Sequence, residues 1–147
     1  MTLGSDIAIA LRNAYLALHR QSDAAFAPFG ATADQFVLLA ALARGNALTQ
    51  RELAKRMSSD PSTVHAMLVL LEQRGLVERE PHPTDSRART VTITANGRRL
   101  YRQLWAAGDP IRDRITESFE PGGAESLVRG LQAIAGCLNA VPSEVQS

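Results

Sequence analysis

The chain has 147 residues, of which 45% are apolar and 21% charged, a composition ordinary for one globular domain. No apolar run approaches the ~20 residues needed to span a bilayer, and no basic segment at the start leads into an apolar block, so the sequence predicts a cytoplasmic protein. The net charge of +1 is unevenly distributed, because residues 48–104 carry ten Lys or Arg against six Asp or Glu. This balance is equally consistent with a polyanion site and with an uneven surface charge of no function.

Two helices are predicted before the basic segment. The first covers residues 6–26, and Pro28-Phe29-Gly30 ends it. Thr32 and Gln35 have the spacing of a capping box and start the second helix, which Gly45-Asn46 ends. The apolar face of the second helix is expected to hold Phe36, Leu39, Ala40 and Ala43.

Two short helices are predicted next. Thr49 and Glu52 form a second capping box, which opens a helix that runs to about Met57. Asp60 is a good N-cap, and Pro61 fits the first position of the following helix. The inward positions of the two helices are Leu53, Ala54 and Met57, then Val64, Met67, Leu68 and Leu71.

The hydrophobic period then changes from helix to strand. Residues 76–80 and 89–94 read as two strands joined by the polar, turn-rich segment 81–88, which predicts a hairpin with a protruding tip. Thr94 can cap a long helix that Gly108-Asp109-Pro110 is expected to kink or divide. A last helix is predicted from about residue 123 to 138, with Leu127, Leu131, Ile134 and Leu138 on one face.

Two helices joined by a short turn and followed by a hairpin are the order of a winged helix-turn-helix. The predicted fold class is therefore mainly α with a small β-hairpin wing. Three stretches, Leu71–Arg79 (LEQRGLVER), Pro83–Arg87 (PTDSR) and Val91–Gly97 (VTITANG), make the chain resemble the MarR family of bacterial regulators.

The resemblance implies a single domain over residues 1–147. Within it, residues 32–100 would form the winged helix-turn-helix, and residues 1–27 and 101–140 would form dimerisation helices. It further implies a homodimeric repressor of a pseudo-palindromic double-stranded DNA operator, released by a small aromatic or phenolic effector. Plausible apolar positions in the dimer contact are Ile7, Leu11, Ile111, Ile115, Leu131 and Ile134.

The reading helix, which is the helix predicted to begin at Pro61 and to contact base edges, departs from the family pattern. Members commonly carry a Thr-Arg pair followed by an Asp-Arg pair, where this chain has His65-Ala66 and Val69-Leu70. No Arg or Lys precedes Arg74 in this helix, so its reading face lacks the bidentate Arg–guanine contact. We therefore expect modest direct specificity, based on DNA shape and thymine methyl contacts. Packing of Val69 and Leu70 against a neighbouring element is an equal alternative.

Three groups of residues are candidates for contacting DNA. The helix that begins at Thr49 would contact phosphates through Thr49, Gln50, Arg51, Lys55 and Arg56. Base edges would be met by Ser62, Thr63, His65 and Ala66. In the wing, Arg87 would enter a narrow minor groove, oriented by a charge-assisted bond from Asp85, with Arg89 as a weaker contact. The alternative for the helix cations is a solvated basic face, and the alternative for Asp85 is a turn-stabilising role with an exposed Arg87. His82 is expected to be an ordinary loop residue.

The candidate effector pocket is lined by aromatic residues near the junction where family effectors bind. These are Tyr15, His19, Phe26, Phe29, Phe36 and Trp105. An aromatic stripe at helical spacing is more often part of the core than of a pocket.

Other site chemistry is excluded or weakly indicated. Cys137 is the only cysteine, which excludes an internal disulfide, and it is expected to be packed and inert rather than redox-sensing. The three histidines lack metal-ligand spacing, so neither metal nor cofactor is predicted. The sequence contains no paired carboxylates, nucleophile motif or Gly-rich phosphate loop, so it does not predict an enzyme. A winged-helix adaptor for another protein, without DNA binding, is the alternative function.

Overall fold

The computed structural model describes residues 2–45 and 47–140, so Asn46 of the predicted helix stop lies outside the described residues. The predicted helices and the two predicted strands occur in the predicted order, with one further strand before the third helix. The helices are α1 (Leu3–Phe26), α2 (Ala33–Ala43), α3 (Gln50–Arg56), α4 (Pro61–Gln73), α5 (Ala95–Glu117) and α6 (Gly123–Asn139), with a 3₁₀ turn at Ala27–Phe29. The strands are β1 (Leu48–Thr49), β2 (Val77–Pro81) and β3 (Arg89–Ile93).

The starts of α2, α3 and α4 are where the sequence places them, whereas α1 begins at Leu3, three residues before its predicted start. Both capping boxes close, since Thr32 and Gln35, and likewise Thr49 and Glu52, exchange bonds between side chain and backbone. Asp60 caps α4 with Pro61 in its first turn. These bonds span three residues and satisfy backbone N–H groups that the helix leaves unpaired, so they form wherever the helix forms.

The sheet has three strands, which corrects the prediction of a two-stranded hairpin. β3 lies between β1 and β2 and pairs antiparallel with both. Leu48 lies opposite Val91, and both side chains are buried. A strand of two residues has no readable period, so β1 is defined only by its partner.

The inward face of α2 also differs from the prediction. Leu38, Leu39 and Leu42 are fully or almost fully buried, whereas Phe36 is only partly buried and packs against the core. The helix contacts α1, α3 and β3, so its buried surface is wider than one stripe. The common core also contains Leu53, Val64, Leu68, Leu71, Val77, Val91 and Leu104.

Helix α5 is not divided at Pro110, contrary to one reading of Gly108-Asp109-Pro110. It continues from Ala95 to Glu117 with Pro110 inside it. Proline removes one helical hydrogen bond, and the rest of a long helix can tolerate that loss. The contacts of the chain nevertheless separate into two compact units, Met1–Asp109 and Pro110–Ser147, which are described separately.

The second unit contains the end of α5 and the whole of α6. Apolar side chains along α6 are exposed in the single chain, namely those of Leu127, Val128, Leu131 and Leu138. Cys137 is also exposed in the single chain, so it is not buried within one chain, and its packing in a dimer stays a prediction.

Within the described residues, no single helix is both long and apolar enough to cross a bilayer. The segments Leu3–Phe29 and Ala33–Ala43 meet those limits only when counted together across a 79° bend. The second of these segments contributes three leucines to the core.

Candidate nucleic-acid interface

The N-terminal half of α4 presents a polar outer face. A tight turn precedes it, in which Ser58 has φ +50° and Ser59 N–H donates to the carbonyl of Ala54. Val64, Leu68 and Leu71 are buried beneath, so the residues between them point outward. The exposed predicted base-edge residues are Ser62, Thr63, His65 and Ala66.

Helix α3 supplies a basic surface beside this face. The side chains of Arg51, Lys55 and Arg56 are exposed, while Leu53 and Ala54 are buried. Thr49 is used locally, since its Oγ1 accepts from the backbone N–H of Glu52 at 3.0 Å. The three cations are therefore the side chains of this helix best placed for phosphates.

A guanidinium that the sequence analysis did not select connects these elements. Arg79, on β2, donates from Nε and Nη2 to the two carboxylate oxygens of Glu72, each at 3.2 Å. Its Nη1 donates to Gln50 Oε1 at 3.3 Å and lies 3.1 Å from His65 Nδ1. Only 7% of the Arg79 side chain is exposed. This one residue therefore joins α3, α4 and the wing.

The sequence does contain a signal for Arg79. In a strand, residues two apart share a face, so Arg79 lies on the same side as buried Val77 and not with Glu78 and Glu80. A cation on an inward face needs a partner, and Glu72 supplies it. The hydrogen bond from Arg79 in turn lowers the pKa of the Glu72 carboxyl below its usual value.

The tip of the wing is organised by His82 and Asp85. His82 Nδ1 accepts from the backbone N–H groups of Thr84 (3.2 Å) and Asp85 (3.1 Å), so His82 has a structural role that the sequence analysis did not assign. Asp85 Oδ1 accepts from the backbone N–H of Arg87 at 3.0 Å, not from its guanidinium. The carboxylate thus shapes the turn that displays Arg87, whose side chain is exposed, as is that of Arg89.

The cap of α4 should make stability depend on acidic pH. Bonds from the Thr63 backbone and hydroxyl lower the pKa of the Asp60 carboxyl below its usual value. Because the folded-state pKa is the lower one, this stabilisation is present above the unfolded-state pKa of about 4 and lost as pH falls through the folded value. Asp60→Asn keeps a capping side chain that does not titrate. We expect the wild type to have the higher urea midpoint near neutral pH and to lose that advantage below about pH 4. A pH-independent difference would contradict this assignment.

The predicted pocket residues separate into two groups. The Phe36 ring lies 5.0 Å from Phe26, 5.7 Å from Tyr101 and 6.4 Å from Trp105. Phe26 is a core residue at 3% exposure, whereas Trp105 is 49% exposed. Tyr101, which completes this aromatic cluster, was not selected from the sequence.

Tyr15 and His19 form the other group, with ring centroids 5.6 Å apart. His19 also lies 3.3 Å from Asp23 and 3.6 Å from Asp34, so its ring is held between two carboxylates. Among residues 2–45 and 47–140, no three His, Cys, Asp or Glu side chains are placed to hold a metal ion.

Comparison with known proteins identifies relatives by sequence. A family model described as the MarR family matches residues 29–88. The chain is 36% identical over 88 residues to the transcriptional regulator HosA of Escherichia coli O111:H-, an alignment that covers 60% of this chain and 62% of HosA. The matched part is therefore less than two thirds of the length of that relative.

Solved structures match over more of the chain. A MarR-family transcriptional regulator from Rhodococcus sp. RHA1 has a TM-score of 0.82 at 27% identity, covering 92% of this chain and 96% of that one. The transcriptional repressor CouR, solved with a 23-mer DNA duplex, has a TM-score of 0.80 at 29% identity, covering 91% and 92%. CouR from Rhodococcus jostii RHA1, solved with p-coumaroyl-CoA, has a TM-score of 0.81 at 27% identity, covering 99% of each chain.

Proposed function

Because the chain belongs to the MarR family of transcriptional regulators, we propose that it is a homodimeric repressor that binds a pseudo-palindromic DNA operator in the cytoplasm. The observation that carries the proposal is the surface formed by the outer face of α4, basic α3 and the wing. A helix start of this kind meets base edges in the major groove while neighbouring cations meet phosphates. The similarity to CouR, whose structure contains a DNA duplex, supports the same conclusion.

The residues of this surface have distinct roles in the proposal. Arg51, Lys55 and Arg56 neutralise phosphates, assisted by the start of α3 at Thr49 and Gln50. Arg87, supported by the turn at Asp85, enters the minor groove, and Arg89 is a secondary wing contact. The base-edge positions are Ser62, Thr63, His65 and Ala66.

Dimerisation is proposed through the first and last helices. Ile7, Ile115 and Leu131 are 43%, 44% and 37% exposed in the single chain, and exposed large apolar side chains favour contact with another surface. Leu11, Ile111 and Ile134 are partly buried and are assigned to the same contact. A second copy of the chain would cover these residues and place two wings on one duplex.

The aromatic cluster is proposed to admit a small aromatic or phenolic effector. Trp105 and Phe36 offer ring faces for stacking, and CouR was solved with an acyl-CoA that carries a phenolic group. Tyr15 and His19 would contribute polar contacts from α1. Phe26, which is buried in the core beside Phe36, would lie beneath this site.

Salt-dependent binding to duplex DNA tests the proposed function. Phosphate neutralisation makes the logarithm of the binding constant fall linearly with the logarithm of salt concentration, and six to ten contacts cost about 10³–10⁵ in affinity between 50 and 200 mM salt. We expect a loss of affinity in this range when genomic fragments are titrated by fluorescence polarisation over these salt concentrations. Lys55→Gln should reduce the slope by about one per protomer.

Arg129→Gln, on α6, is the matched control and should leave the slope unchanged. Failure of the wild type to bind duplex DNA at low salt would contradict the proposed function and favour the adaptor alternative.

A further inference from the structure

The contact between Arg79 and the reading helix determines which hydrogen-bonding group His65 presents. We propose that His65 determines base specificity by offering its Nε2–H to an acceptor on a base edge, and that Arg79 is the positioning residue that fixes this donor. The inference rests on the proposed function. It would explain how a reading face without Arg or Lys can still make a directional contact with DNA.

The tautomer follows from the chemistry of the two partners. Arginine carries five N–H donors and no acceptor. Since Arg79 Nη1 lies 3.1 Å from His65 Nδ1, that nitrogen must be the acceptor of the pair. In a neutral imidazole with Nδ1 as acceptor, Nε2 carries the proton. His65 is exposed, so the Nε2–H edge is available to a ligand.

The guanidinium that imposes this tautomer is itself held in place. Its Nε and Nη2 bind both oxygens of Glu72 in a bidentate pair, a geometry that restricts rotation of the plane. The remaining described bond from Nη1 goes to Gln50 Oε1. One nearly buried arginine therefore occupies acceptors on both Gln50 and His65.

An N–H donor discriminates among bases in the major groove. Guanine offers N7 and O6, adenine N7 and thymine O4 as acceptors, whereas cytosine presents the N4 amino donor. His65 should therefore reject cytosine at the position that it faces and prefer guanine, which has two adjacent acceptors. Ala66 and Val69 remain free to contact thymine methyl groups at neighbouring positions.

Nitrogen-15 NMR of the histidine rings tests the tautomer without DNA. At about pH 8, where an ordinary imidazole is neutral, wild-type His65 should show the Nε2–H pattern in a long-range proton–nitrogen spectrum, with His65→Ala identifying its signals. Arg79→Met, or Arg79→Lys if the first variant is unfolded, should shift His65 toward a mixed population. His82 is the internal control, because its Nδ1 accepts from backbone groups that neither change removes. An Nδ1–H pattern for His65 in the wild type would overturn the proposal.

Base substitution then tests specificity. In a half-site obtained by selection from random duplexes, each position is changed in turn to cytosine. We expect one position at which cytosine weakens wild-type binding by about fivefold, the value of one ordinary hydrogen bond, and at which His65→Ala no longer discriminates. Gln73→Ala, on the same helix but outside the proposed contacts, should retain the discrimination. If the wild type binds DNA but no position depends on His65, the specificity role fails while the proposed function stands.

Discussion

Replacing Arg87 with alanine is expected to weaken operator binding at least tenfold while leaving the dimer and the unfolding temperature nearly unchanged. The side chain is exposed, and the wing is shaped by bonds that involve the backbone of Arg87, which the substitution retains. A guanidinium on a thin hairpin can enter a narrow A·T minor groove, where the negative potential is enhanced. A dimer would lose two such contacts at once.

The measurement is a binding isotherm at fixed salt, with thermal melting of each variant as the check on folding. Arg87→Lys retains the charge but not the planar fork, so it should recover only part of the affinity. Arg89→Ala should have a smaller effect, because Arg89 lies in the paired part of the wing, opposite Pro81, and not in the loop at its tip. A binding constant unchanged by Arg87→Ala would remove this residue from the interface.

Replacing Gly97 with alanine is expected to destabilise the fold by about 3 kcal/mol. A Cβ on Gly97 would overlap the carbonyl oxygen of Leu76 and lie 2.7 Å from Ile93 Cγ1. The Leu76 carbonyl cannot easily move, because it accepts from the backbone N–H of Thr94 at 3.1 Å. The same junction is held by Thr94 Oγ1, which donates to the Gly75 carbonyl and accepts from Gly97 N–H.

The measurement is the urea midpoint of Gly97→Ala and of a control variant, each compared with the wild type. Gly136→Ala, in α6, is the matched control, since nothing lies within 4 Å of its added Cβ. There the better helix propensity of alanine should leave stability unchanged or raise it by up to about 1 kcal/mol. Equal midpoints for Gly97→Ala and the wild type would show that β2 and α5 can separate without cost.

Local rules account for most of the fold that could be predicted from the sequence. The capping boxes at Thr32 and Thr49 and the cap at Asp60 depend on bonds across three residues. The left-handed position at Gly75 (φ +71°) and the alternation in β3 are equally local. Because the chain within a few residues specifies these features, their positions follow from residue type and spacing.

Most features that sequence analysis missed depend on neighbours distant in the chain, although the roles of His82 and Asp85 in the wing turn are local. β1 exists because Leu48 meets Val91 across the sheet, and α2 buries three leucines because α1, α3 and β3 surround it. The observed site differs from the predicted one for the same reason. One of its organising contacts joins Arg79 to Gln50, 29 residues earlier, and no local period predicts such a pair.

The sequence by itself therefore determined where the helices start, where the wing lies and which segment is basic, because capping and periodicity are short-range. The tertiary structure decided which charged and polar groups form hydrogen bonds between distant elements and which remain exposed. That division depends on burial: a nearly buried guanidinium must satisfy its donors with whatever acceptors the packed elements bring within reach.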